Sequence, residues 1–299
     1  MLKICCIWRA TSYTYPVLPK VDTRVPGEVE KEIHAIYSRL YPDGERAFVP
    51  RIFDWAGQCF LGRYDDYQAI DARYHDFEHT LQGTLCLARL LEGRQTAKVQ
   101  PEVPRKFFDL TLLAILFHDT GYLKKRGDTE GTGAKYTAIH VGRSVTFARQ
   151  FLAPKGYSAE DLDMIEQMIR CTGVAVRVTT IPFRNDFERT LGCAVGTADL
   201  LGQMAAADYV DKLPVLFLEF AEAARADPVN GARFADYKNP QDLMRRTPMF
   251  WSDYVWPRIN EDFGHLYVFL NNPLPNGPNP YLLAIEKNIQ RLQEYLKKA

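Results

Sequence analysis

Six histidines occur in this 299-residue chain, and three of them sit in two short stretches. The first is Tyr74-His75-Asp76-Phe77-Glu78-His79; the second is the pair His118-Asp119. Residues i and i+4 share a helix face, so His75 and His79 are expected to project toward one site. His118-Asp119 closes the apolar run Phe107 to Phe117, where an imidazole and a carboxylate are expected to be buried. A buried charge is costly unless it is paired or metal-bound. Imidazole and carboxylate ligands suit zinc, iron, manganese, nickel, cobalt or a magnesium-type ion. His79, His118 and Asp119 would supply three ligands, and a fourth is expected from farther along the chain. Asp199, in Val195-Gly196-Thr197-Ala198-Asp199-Leu200-Leu201, is an acid in a small, apolar helical stretch and is the first choice. Asp208, beside Tyr209 at a helix junction, is the competitor, with a solvated or capping role the more natural one for it.

Such ligands need several helices to bring them together, and the pattern is helical almost throughout. After an irregular, proline-punctuated start to about Pro26, helices are expected over Glu28 to Tyr41 and Arg46 to Phe60. A third runs from the His75 segment to near Gly93, and a fourth from Pro104 to His118, with Gly121 suited to its C-terminal cap. Tyr136 to Leu152, Ala159 to Arg170 (capped by Ser158), Phe187 to Ala207 and Tyr209 to Ala226 follow. Val174, Val176 and Val178 alternate with other residues, which suggests a short extended piece between Thr172 and Pro182. Asp242 to Phe263 and Tyr281 to Lys298 complete the set, separated by the irregular connector Asn271 to Pro280. With no repeat and no composition break, a single all-α domain over 1-299 is expected, a compact multi-helix bundle with an irregular N-terminal segment.

Lysine plus arginine equals aspartate plus glutamate, 37 each, so no global field favours a nucleic-acid polymer or an anionic membrane. No apolar stretch approaches the roughly 20 residues of a membrane span, and the first residues lack a secretory pattern. Cys5, Cys6, Cys59, Cys86, Cys171 and Cys193 have no paired spacing; Cys86 and Cys193 read as small core residues. A cytoplasmic protein with a small-molecule partner is expected. Lys124, Lys125 and Arg126 follow the ligand pair and could contact phosphate oxygens, although a solvated basic turn is the plainer role for at least two of them. The glycine-rich segment Gly127 to Lys135 lacks Gly-Lys-Ser/Thr and reads as a flexible flap rather than a phosphate loop.

The order Tyr74-His75-x-x-x-His79, His118-Asp119, Asp199 resembles the HD-domain metal-dependent phosphohydrolase superfamily. It is similar in particular to the cyclic-nucleotide phosphodiesterase branch, whose first motif is Tyr-His-Asn followed by a second histidine. The resemblance covers residues 74-207, the expected HD-type metal-binding core. It implies His79, His118, Asp119 and Asp199 as ligands of a tightly held divalent metal, with Asp119 bridging to a second, looser ion. It implies His75 as general acid, protonating the leaving oxygen while metal-activated hydroxide attacks phosphorus. It also implies an active-site or substrate-contacting role for His140, which opens a helix. The chain departs from the phosphodiesterases at Asp76, in place of asparagine, and after His118-Asp119, where Thr120-Gly121-Tyr122 lacks a further histidine. Gln203 lies near Asp199 but not in the context of their substrate-gripping glutamine. The expected activity is hydrolysis of a small-molecule phosphoester, in the first place a nucleotide. Phe250, Trp251, Tyr254, Trp256 and Tyr267 could form a base-stacking wall or simply core. A di-iron oxygenase on the same scaffold and a non-catalytic ligand-sensing domain are the alternatives. The sequence leaves oligomeric state open.

Overall fold

Asp76 begins the helix around which the rest is built. Its carboxylate accepts the His79 backbone N–H at 2.9 Å, the bond of an N-cap, and α3 runs from there as Phe77–Thr96. The computed structural model describes residues 20–298; the irregular start, with Cys5 and Cys6, lies almost wholly outside them. Among the described residues the protein is all-helical, with two isolated bridges as its only extended pairing. The extended piece expected after Thr172 is instead a set of turns with a short 3-10 segment at Val178–Thr180.

The remaining α-helices are α1 (Pro26–Leu40), α2 (Phe48–Phe60), α4 (Arg105–Phe117), α5 (His140–Leu152), α6 (Ala159–Arg170), α7 (Asp186–Met204), α8 (Tyr209–Ala226), α9 (Pro240–Met249) and α10 (Pro280–Lys298). Two π-helical segments, Phe250–Val255 and Arg258–Asp262, extend α9. One apolar cluster threads α1 to α10, from Val29 to Leu292. α3 is buried almost all round, and from Leu81 to Leu91 only Arg89 is less than buried. A helix of that kind belongs at the centre of a bundle. Its most extensive partner is α7.

Glycine lets these two central helices approach. A Cβ on Gly202 of α7 would stand 2.7 Å from the Gln82 carbonyl oxygen and 2.8 Å from the Gly83 nitrogen, both backbone atoms of α3. Gly202→Ala should therefore push the helices apart and cost about 1–3 kcal/mol. Thermal denaturation should show a lowered Tm; an unchanged Tm would mean that α3 and α7 are less tightly apposed.

α4 carries an acid that the bundle leaves poorly solvated. The buried Oδ1 of Asp109 has no hydrogen-bond partner, and burial raises its carboxyl to about 7 against the attraction of Arg105. The native state thus binds this proton more tightly than the unfolded chain, whose carboxyl titrates near 3.8. Ionisation costs stability as pH rises through that interval. Asp109→Asn removes the cost, so it should stabilise the protein more at pH 8 than at pH 5, by on the order of 1–3 kcal/mol. Denaturant midpoints at the two pH values measure this, and equal gains at both would refute it.

Candidate metal centre

Three helices deliver the site. The cap at Asp76 places His79 in the first turn of α3, α4 ends at His118-Asp119, and Asp199 lies in the third quarter of α7. His79 Nε2 stands 3.2 Å from Asp119 Oδ2 and 3.4 Å from Asp199 Oδ1. His118 Nε2 stands 3.3 Å from each of the same two oxygens. Ligand atoms held about 2.0–2.2 Å from one ion at tetrahedral or octahedral angles are roughly 3–3.5 Å apart. Asp119 and Asp199 thus both face the same two imidazoles, Asp119 from the end of α4 and Asp199 from α7. His79, His118 and Asp119 form a buried group whose ligand atoms all lie within 4.8 Å of one another and could hold a metal ion.

The hydrogen bonds around these groups point the same way. His118 Nδ1 lies 2.7 Å from the Ile115 carbonyl, so that nitrogen carries a proton and Nε2 is the one turned to the two carboxylates. His118 Nε2 and Asp119 Oδ2 are buried with no hydrogen-bond partner. Buried polar atoms are rarely orphaned, and two of them facing each other mark a place for a cation. Electrostatics agree. Burial opposes charge on His79, but Asp119 and Asp199 overcome it and hold the imidazole up at about 10. His118 is raised for the same reason. Burial alone would raise both carboxyls, yet the imidazoles keep Asp119 and Asp199 well below the usual carboxylate range. Two negative charges are thus matched by two protons where one divalent cation would supply the same charge, and loading the metal would release protons.

His75 does not share the helix with His79. It precedes the cap, because Asp76 in extended backbone starts α3 only after it. The two rings nevertheless adjoin, with centroids 5.3 Å apart, through loop geometry instead of helical spacing. Aspartate and asparagine cap about equally well, so the departure at Asp76 leaves this corner as asparagine would.

Glu219 of α8 was not singled out in the sequence. Buried, it accepts the Tyr74 backbone N–H at 2.7 Å through Oε1 and meets His75 Nδ1 at 2.6 Å through Oε2. Burial pushes the Glu219 carboxyl up, and His75 with the backbone N–H groups of Tyr74 and Arg73 together bring it below its usual range. The contact fixes the ring and leaves Nε2 for the cavity. Tyr122 packs nearly parallel to His75, centroids 4.5 Å apart, and also against His140 at 4.7 Å.

His140 joins the site from the start of α5. Its Nδ1 bonds to the Thr137 carbonyl at 2.7 Å, and its Nε2 approaches Asp119 Oδ1 at 3.7 Å. Burial lowers its pKa to about 4 despite Asp119, so the ring is neutral. Gly121 serves this approach and does not cap α4: the chain passes from His118 into a 3-10 turn, and a Cβ on Gly121 would lie 2.0 Å from the His140 carbonyl oxygen. Gln203 accepts the Tyr74 hydroxyl at 2.9 Å and donates to the Asp199 carbonyl at 3.2 Å.

Lys124 does not reach the substrate side. It is buried, bridged to Asp71 at 2.8 Å and to the Gly131 carbonyl at 2.6 Å, and it does not line the cavity. Lys125 bridges exposed Asp65, and Arg126 reaches the Gly62 carbonyl. The glycine-rich segment expected as a free flap is pinned: Thr132 donates its N–H and hydroxyl to Glu222 of α8, and the Gly133 N–H bonds to Asp71. Asp208 stays outside the ligand set, 3.5 Å from Lys212.

His75, His79, Asp119, His140 and Asp199 open into a cavity of about 420 Å³. Phe250 and Tyr254 line it, whereas Trp251, Trp256 and Tyr267 do not and pack on one another instead. A family model described as Npun_R2479-like matches residues 126–272. The matched stretch includes His140, Asp199 and Glu219 but begins after His75, His79, His118 and Asp119, and its description names no activity. No curated protein matches the chain. Among the described residues, no helix is long and apolar enough to cross a membrane.

Proposed function

We propose that this chain is a cytoplasmic, HD-type metal-dependent phosphohydrolase acting on the phosphoester of a small organic molecule. One observation carries the reading: Asp119 and Asp199 both face the buried imidazoles of His79 and His118, with His118 Nε2 and Asp119 Oδ2 otherwise orphaned, beside an open cavity. His79, His118, Asp119 and Asp199 would hold the ion, which supplies a more acidic water and neutralises phosphate charge. His75, oriented by Glu219, presents Nε2 to the cavity as the group that hands a proton to the departing oxygen. Tyr122 covers the ring and keeps bulk water from that face. Asp119 turns its second oxygen toward His140, which gives a second, looser ion a place to bind. The four described cysteines are free and buried, in keeping with a reducing compartment.

The reading is tested by measuring metal content of the purified protein together with hydrolysis of bis(4-nitrophenyl) phosphate and a nucleotide panel in manganese or magnesium. Bound metal with metal-dependent hydrolysis supports it. Two irons with oxygen consumption would favour the di-iron oxygenase; protein with no affinity for metal would favour the sensor.

A further inference from the structure

Beyond the histidines and aspartates, the cavity changes character. Val174, Val176, Leu213, Leu216, Phe220 and Phe250 form its wall, and the one carboxamide that lines it, Gln203, is engaged with the Tyr74 hydroxyl and the Asp199 carbonyl. Several of the polar groups that reach this wall are engaged by the protein. The Thr172 hydroxyl donates to the Ile169 carbonyl at 2.9 Å, and that of Thr247 to the Leu243 carbonyl at 2.9 Å. Tyr254 donates its hydroxyl to the Val174 carbonyl at 3.0 Å. Arg258, itself buried, reaches the Gly173 and Val176 carbonyls at 3.3 and 2.7 Å. The backbone oxygens of 173, 174 and 176 are therefore all occupied, and the segment is held in place before any ligand arrives. Two tyrosine hydroxyls, of Tyr209 and Tyr237, make no hydrogen bond among the described residues. Arg233 and Arg246 stand exposed at the outer end, Arg246 paired with Asp242.

A nucleobase brings several donors and acceptors on its edge, and burying them against this wall would leave most of them unmatched. A hydrocarbon body loses nothing there and gains by leaving water. We infer that the group esterified to phosphate is an alkyl or aryl body, and that nucleotides are not the preferred substrates. This rests on the phosphohydrolase reading for the phosphate end, while the apolar wall is independent of it.

The test uses the manganese-loaded protein and n-alkylphosphonates from ethyl to octyl, which cannot be hydrolysed, with AMP and cyclic AMP alongside. Calorimetry should show Kd tightening about 3- to 4-fold per added methylene until the cavity is filled. Leu216→Ser and Phe250→Ser should each flatten that dependence while ethylphosphonate binds as before. Affinity independent of chain length, with AMP bound more tightly than octylphosphonate, would overturn the inference. The slope compares homologues carrying one head group, so it does not depend on turnover. Failure of every ester to be hydrolysed would sink the enzymatic reading and leave the slope standing.

Discussion

Asp119→Ala should lose bound metal and hydrolysis together. Asp119 Oδ2 stands 3.2 and 3.3 Å from the imidazoles of His79 and His118, and its other oxygen faces His140. No other carboxylate can take its place, because Asp199 already approaches the same two nitrogens from α7. Activity should fall by at least ~10³-fold, the scale on which acidifying a water and neutralising phosphate charge operate. His118→Ala should behave alike. Elemental analysis of the purified variants, beside a hydrolysis assay, reads both quantities. Full metal occupancy in Asp119→Ala would show that the ligands have been wrongly assigned. The variant should still fold, since the apolar cluster that joins α3, α4 and α7 does not include these groups.

His75→Asn should separate the two quantities, keeping the metal while kcat falls by about 10²–10⁴-fold. The loss should be large for an alkyl ester, whose leaving oxygen needs a proton, and small for a 4-nitrophenyl ester, whose leaving group needs none. Equal losses on both would mean that His75 does not deliver that proton. On the proposed reading Glu219 acts through His75, as a positioning residue. Glu219→Ala should lower kcat with less effect on KM, and the double variant with His75→Asn should be little worse than His75→Asn alone. Additive losses would give Glu219 a separate task.

The proposed ligand set is legible in the sequence because each member breaks a pattern. An acid among Ala198 and Leu200 in α7, or an imidazole closing the apolar run of α4, has no cheap explanation in a helix core. The same reasoning applies to Glu219, between Leu218 and Phe220 in α8. The sequence conceals it, because Glu222 and Asp211 on the same helix make an acidic residue there look ordinary. Helix positions followed periodicity closely, from α1 to α10. What did not follow was backbone direction at the ends. His75 and His79 have helical spacing, yet the cap at Asp76 divides them, and a cap is a hydrogen-bonding choice that spacing does not encode. Lys124 shows a second limit. Its charge suggested phosphate, but its neighbours in the chain do not reveal Asp71, which folds back to meet it.

Glu219 and Glu222 lie one turn apart on α8, the first gripping Tyr74 and His75, the second gripping Thr132. Two stretches of chain remote in sequence are thereby hung from a single rigid rod. Lengthening or shortening the 127–135 stretch would pull on the rod's outer hook first, and the disturbance would arrive at the imidazole a turn away. Insertions in that stretch should therefore register as altered proton delivery before they register as altered metal content.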